Sequence, residues 1–348
     1  MEKLKVSERI LAFVAMMVLA VSFAEFMTGG TPAVPFTFLV FFLVSPAGIT
    51  YGMGVLLIRE VVLRWDKGWA STLLMGEAWG LVLQGLFTKV IFGAPSFAVV
   101  GNLGSYGHWL GINWILATTA FFFEAVFAVA LPIFITGEWF PRTRGRRLLS
   151  DRGLGLVLGT LSLVVAWEYV YINLDPNIFP SQAFVSSPSA LDVALLLTAV
   201  VALCAVARVI PKDLLRPLTI RPVGSSPSMA AVGVAFTLGV ILLGGPGPDL
   251  IPWPVIVVLI FVGWSLLCLE AMRRRIGAMP NGSHRIAVVA GCLLPWAVFD
   301  VALEAGGDWL VLPIALGVFI LLAFLWRRGG MERETAIAGP SSGVTPPG

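Results

Sequence analysis

Charge is what this sequence has least of. Asp, Glu, Lys and Arg make up 12% of its 348 residues, about half the ~25% of an ordinary soluble domain. With 58% hydrophobic residues beside that scarcity, a water-soluble globule is excluded. Histidine is nearly absent. His108 and His284 are the only two and both fall outside the apolar stretches, which leaves intramembrane Ser-His or His-metal chemistry without support. The three cysteines, Cys204, Cys268 and Cys292, lie inside apolar stretches with no close pairing, so they are expected to pack rather than bind metal. A net charge of only +3 gives no concentrated basic surface, and nucleic acid is not an expected partner. No Walker-type, Gly-x-Ser-x-Gly or His-Glu-x-x-His motif occurs, and no cofactor is expected.

What the chain has instead is apolar runs. About 20 mostly apolar residues span the ~30 Å hydrocarbon layer, and ten stretches qualify or nearly do: 10–27, 36–58, 69–92, 111–136, 154–172, 190–206, 229–243, 252–271, 286–305 and 309–326. The distribution of basic residues tests that count, because Lys and Arg near span ends stay on the cytoplasmic side. Every Lys and Arg except Lys89 falls at the N-terminus, at the C-terminus, or in the connections between spans 2 and 3, 4 and 5, 6 and 7, and 8 and 9. The expected fold is an all-α polytopic bundle of about ten transmembrane helices with both termini cytoplasmic, in the plasma membrane. Most tryptophans, among them Trp65, Trp69, Trp109, Trp139, Trp253 and Trp326, fall near span ends, where an amphipathic indole prefers the interface. The charged start of span 1 is followed by no small-residue cleavage pattern, so the span reads as a retained anchor.

Composition also divides the chain. Residues 1–208 form a six-span half that holds most of the buried polar side chains, 209–228 a cytoplasmic linker, 229–328 a four-span half, and 329–348 a Gly/Pro/Ser/Thr-rich tail expected to be disordered.

An ionisable side chain in mid-membrane is disfavoured by ~2.5–3.5 kcal/mol on insertion scales, which makes each one a candidate. Glu124 lies near the middle of span 4, too deep to reach either surface. On a helical wheel it shares a face with Asn113, Ala117, Ala120 and Ala128. In span 3, Glu77, Gln84 and Thr88 project in nearly one direction, and Gly76 and Gly80 at Gly-x-x-x-Gly spacing invite another helix close. Glu25 and Lys89, near the outer ends of spans 1 and 3, form a candidate pair. Arg59 and Glu60 end span 2 and are expected to anchor it by local pairing. Pro46 and Gly48 fall mid-span, a candidate helix break of the kind that frees carbonyls for a binding site. Asp300 and Glu304, with Asp175, Asp192, Asp249 and Asp308, make the external side acidic. The uncharged external connection 93–109 carries His108.

The run Ala24-Glu25-Phe26-Met27-Thr28-Gly29-Gly30-Thr31-Pro32, then Tyr51-Gly52-Met53-Gly54-Val55-Leu56-Leu57-Ile58-Arg59-Glu60 and Gly68-Trp69, resembles a group of prokaryotic polytopic membrane proteins of uncharacterised activity. That resemblance covers the first four spans and implies no activity. The arrangement is also faintly similar to the CAAX-processing and bacteriocin-processing membrane proteases, in which a Glu-Glu pair and later histidines activate water. Here the corresponding place reads Leu83-Gln84-Gly85 and no histidine lies in a span. Three readings are open. The first is a secondary transporter with Glu124 as a proton or cation site, acting on a small molecule or ion. The second is a degenerate intramembrane hydrolase using Glu77 or Glu124. The third is a non-catalytic subunit whose polar residues pair helices with a protein partner. The lipid bilayer is a partner in all three.

Overall fold

Backbone amides have no water to bond in hydrocarbon, so an apolar chain satisfies them internally by forming helix. A computed structural model of the chain describes residues 4–27, 46–92, 106–174, 188–218, 225–275, 282–303 and 311–338. Ten principal helices run through them. They are α1 (Val6–Phe26), α2 (Pro46–Arg64), α3 (Trp69–Leu81, prolonged by a π-helical turn, Val82–Phe87), α4 (Trp114–Trp139) and α5 (Asp151–Leu174). The later five are α6 (Ala190–Val209), α7 (Ser226–Gly244), α8 (Pro254–Arg275), α9 (Gly282–Leu303) and α10 (Val311–Ala338). A two-stranded antiparallel hairpin, β1 (His108–Trp109) with β2 (Ile112–Asn113), precedes α4. Leu110 and Gly111 at its turn both have positive φ, 54° and 76°, as a tight right-twisted hairpin requires.

Helices α1 and α4 are central because they contribute to two apolar clusters. Phe26 and Val129 pack with Tyr51, Val55, Trp79, Leu83 and Leu161 on one side. Phe23 and Phe127 pack with Phe236, Phe261, Leu293 and Val318 on the other. Helix α6 rests on α3, where Ser71 Oγ donates to the Ala207 carbonyl at 2.7 Å. The closest crossing is between α7 and α9. A Cβ on Gly291 would lie 2.0 Å from the Ala230 carbonyl oxygen and one on Gly233 2.3 Å from that of Val288, so only glycine permits the approach. Thr237 Oγ1 donates to the Cys292 carbonyl across the same contact at 2.7 Å.

The outward faces are apolar. Leu156, Leu163, Leu191, Val201, Leu259, Leu267 and Ile320 are each at least 65% exposed, a surface water would not tolerate and acyl chains solvate. Among the described residues seven helices are long and apolar enough to cross a membrane: α1, α4, α5, α6, α7, α8 and α10. These helices are compatible with an integral membrane protein. Each of the ten expected spans holds a helix, but α2, α3 and α9 fall outside that set of seven. Helix α2 runs on to Arg64 where the expected span ends at 58, and there Arg59, Glu60 and Arg64 bury their charges in one another. The first part of that expected span, 36–45, lies outside the described residues. So do 93–105 of the connection before the hairpin, and 219–224 of the linker.

The basic connections meet at one end of the bundle. Lys212 Nζ pairs with Asp66, Lys67 Nζ donates to the Ile210 carbonyl at 2.9 Å, Arg64 Nη2 to that of Leu149 at 2.9 Å and Arg273 Nη1 to that of Leu214 at 3.1 Å. Arg142 reaches Glu8 at 3.4 Å and Arg285 reaches Glu138 at 3.6 Å. Helix α10 carries through Gly329 and Gly330 to Ala338, since glycine lowers helix propensity but keeps its backbone donor; 339–348 of the expected tail lie outside the described residues.

Candidate functional site

Among the described residues, three helices change from α to π winding, and each does so around a polar residue. In α1 the π turn is Ser22–Phe26, around Glu25; in α3 it is Val82–Phe87, around Gln84; in α4 it is Glu124–Ala130, opening at Glu124. A π turn inserts one residue into the α ladder, rotates the residues beyond it and is frequent at functional sites. The three turns converge on one cluster. Gln84 Nε2 donates to Glu124 Oε1 at 2.7 Å, and the Tyr51 hydroxyl, from α2, donates to the same oxygen at 3.4 Å. Glu25 also hydrogen-bonds the Tyr51 hydroxyl. Thr88 Oγ1 donates to Gln84 Oε1 at 3.1 Å, extending the polar chain along α3.

Glycine makes this proximity attainable. A Cβ on Gly76 would lie 2.8 Å from Ala125 Cα, and one on Gly80 3.0 Å from Glu124 Cβ. The helix that the Gly76/Gly80 spacing admits is therefore the one that carries Glu124. The carboxyl is fully buried, and its Oε2 has no hydrogen-bond partner among the described residues. Among the described residues, the polar groups that act on it are Gln84, Glu25 and Tyr51.

The other residues singled out by sequence have different places. Glu77 is half-buried and makes no hydrogen bond to the cluster among the described residues. Asn113 does not share the Glu124 face. It stands in β2 as the cap of α4, accepting from the Leu116 amide at 3.1 Å, because the helix starts only at Trp114. Lys89, 2% exposed, donates to the Tyr169 carbonyl at 2.9 Å and lies over that ring at 4.2 Å. No ion pair joins it to Glu25 among the described residues, because Glu25 turns inward to Tyr51. Of the break expected at Pro46 and Gly48, the described part is helical: α2 runs from Pro46 through Tyr51-Gly52-Met53-Gly54, and the residues before Pro46 lie outside the described residues.

Glu60 proves more than an interfacial anchor. It is fully buried and accepts four hydrogen bonds: Arg59 Nη1 at 2.7 Å, Arg64 Nη1 at 2.7 Å, and the amides of Leu148 at 2.8 Å and Leu149 at 3.2 Å. Arg59 Nη2 closes the clamp on the Thr143 and Arg146 carbonyls at 2.5 and 3.0 Å. With every lone-pair direction used, this cluster pins the connection after α4 and leaves nothing over for a ligand. Of the outer acids, Asp192 caps α6, and Asp175, Glu304 and Asp308 lie outside the described residues. His108 Nε2 is 3.4 Å from the Phe92 carbonyl. Cys268 and Cys292 are buried free thiols and Cys204 is half-buried. Among the described residues no group of three His, Cys, Asp or Glu side chains is placed to hold a metal ion.

Sequence reasoning misses Tyr51, which the structure places beside Glu25. One signal is present: Tyr51 is one of only four tyrosines, and its hydroxyl in an apolar run needs a polar partner. The chain matches no protein-family model, no curated protein and no solved structure. What fold and site define together is a helical protein with a buried acidic cluster and several helices fit to cross a membrane.

Proposed function

We propose that the protein is a proton-coupled secondary transporter of the plasma membrane, with ten spans, both termini cytoplasmic, and the Glu25–Tyr51–Glu124–Gln84 cluster as the site of the coupling proton. The observation that carries this is two carboxyl groups sharing one tyrosine hydroxyl in a buried site, with no cationic side chain acting on Glu124 among the described residues. The Tyr51 hydroxyl has a single proton to give. If it serves one carboxylate, the other must bring its own proton to the phenol oxygen. Two carboxylates on one hydroxyl in a poorly solvated site cannot both stay charged. The cluster therefore holds an exchangeable proton, and Gln84 and Thr88 extend it as a line of hydrogen-bonding groups along α3. The close α3–α4 contact at Gly76 and Gly80 favours a second reading, in which the cluster serves only to pair helices.

Thermal stability of the purified protein across pH, with and without sodium, separates the readings when run beside Glu124→Gln. A proton site gives a pH-dependent melting temperature that flattens in the variant, because a ligand bound only by the folded state stabilises it by mass action. A pH profile identical in both proteins, with the variant merely less stable, supports helix pairing and removes Glu124 from proton coupling. A shift with sodium at constant pH that disappears in the variant replaces the proton with a metal cation.

A further inference from the structure

A groove of about 590 Å³ opens on the apolar outer surface between α1 and α10, walled by Leu11, Val14 and Val18 on one side and Ile314, Gly317 and Leu321 on the other. Leu11, Val14 and Val18 are all exposed, so the groove is open to its surroundings along its length. Among the described residues no charged side chain lines it. Along α1 it runs from Leu11 to Ser22, about 16 Å at 1.5 Å rise per residue. That is about half of the ~30 Å hydrocarbon layer, the reach of one chain in one leaflet.

The Ser22 end of the groove is polar at a single point. Ser22 lines the groove although only 4% exposed, and among the described residues its hydroxyl makes no hydrogen bond. A serine within a helix commonly returns its hydroxyl to the carbonyl one turn back, and a hydroxyl held away from water without a partner is unfavourable. From this unpaired hydroxyl at the end of an uncharged apolar groove, we propose that the protein binds a neutral single-chain lipid, its hydroxyl or carbonyl head hydrogen-bonded to Ser22 and its chain lying between α1 and α10. A serine hydroxyl both donates and accepts, so it satisfies either head. An ionised head would be buried there without a counter-charge, which is far more costly than a neutral one. Ser22 opens the π turn around Glu25, but binding in the groove does not rest on proton coupling at the cluster.

The experiment is photo-crosslinking of the full chain in lipid bilayers with two probes of equal length, a diazirine-bearing hexadecanol and a diazirine-bearing hexadecane, with adducts mapped by mass spectrometry. In the wild type the alkanol should label the groove segments 11–22 and 313–321 at least about threefold more than the alkane, as one hydrogen bond allows. Ser22→Ala should make the two probes equal. Gly317 also lines the groove, and a Cβ built on it meets nothing within 4 Å, so Gly317→Phe should fill the groove and abolish its labelling by both. Equal labelling by the two probes in the wild type, a preference that survives Ser22→Ala, or groove labelling that survives Gly317→Phe overturns the proposal. Cross-links that join two copies of the chain across the groove, in place of lipid adducts, assign it to a second copy and overturn it as well. Melting temperatures of both variants confirm that the fold is intact; should one variant fail to fold, the other still decides.

Discussion

At the scale of single residues, two buried glutamates show how partners decide what a carboxylate does. Glu60 accepts four hydrogen bonds, two of them from arginines, while Glu124 has one oxygen shared by two neutral donors and the other without a partner among the described residues. Removing one member of a buried charge cluster leaves the rest uncompensated. Glu60→Ala should therefore cost roughly 3–5 kcal/mol, read as a lower melting temperature at every pH, whereas Glu124→Gln should change chiefly the pH dependence. A third carboxylate behaves differently again. Asp66 is fully exposed, and its hydrogen bond with Lys212 holds its carboxyl below the usual 3.8. A lowered value means the folded state favours the charged form. The contribution is present above the unfolded value and is lost as acid titrates through the folded one. Lys212→Ala should leave stability almost unchanged at neutral pH, as exposed pairs are weak, and remove a small acid-dependent component below the usual aspartate range. A large loss at neutral pH would contradict that account.

At the scale of elements, the π turns and glycine contacts do the positioning. The Gly76/Gly80 spacing and the depth of Glu124 are both legible in the sequence, because glycine periodicity and distance from span ends come from counting residues. The π turns are not, since hydrophobic periodicity assumes uniform winding and an inserted residue leaves no compositional mark. That is why uniform winding groups Glu77 with Gln84, while Glu25 and Lys89 are paired only by their common depth near the outer ends of spans 1 and 3. Asn113 is misplaced for a simpler reason: the wheel extends beyond the start of α4, where an asparagine serves better as a cap. The α7–α9 crossing offers the sharpest packing test. A Cβ on Gly291 would lie 2.0 Å from a backbone oxygen, and backbone cannot yield as a flexible side chain can. Gly291→Ala should destabilise by about 1–3 kcal/mol, measured by thermal or denaturant unfolding; an unchanged midpoint would show that the helices do not cross so closely.

At the scale of the whole molecule, the distribution of basic residues and the folded contacts agree. Connections far apart in sequence, after α2, α4 and α6, join one another through Arg64 with Leu149 and Lys67 with Ile210, so the basic residues gather at one end. Tags at the two termini should accordingly report the same side of the membrane, the cytoplasmic one, in a protease- or label-accessibility assay on sealed cells. Opposite sides would break the ten-span topology. Proton coupling as proposed requires Glu124 to exchange a proton. Infrared difference spectroscopy during a pH titration, on wild type and Glu124→Gln in lipid bilayers, reads that proton directly through the carboxylic C=O band. The account predicts a band that grows as pH falls in the wild type and is missing from the variant. Identical titrations in the two proteins would contradict it.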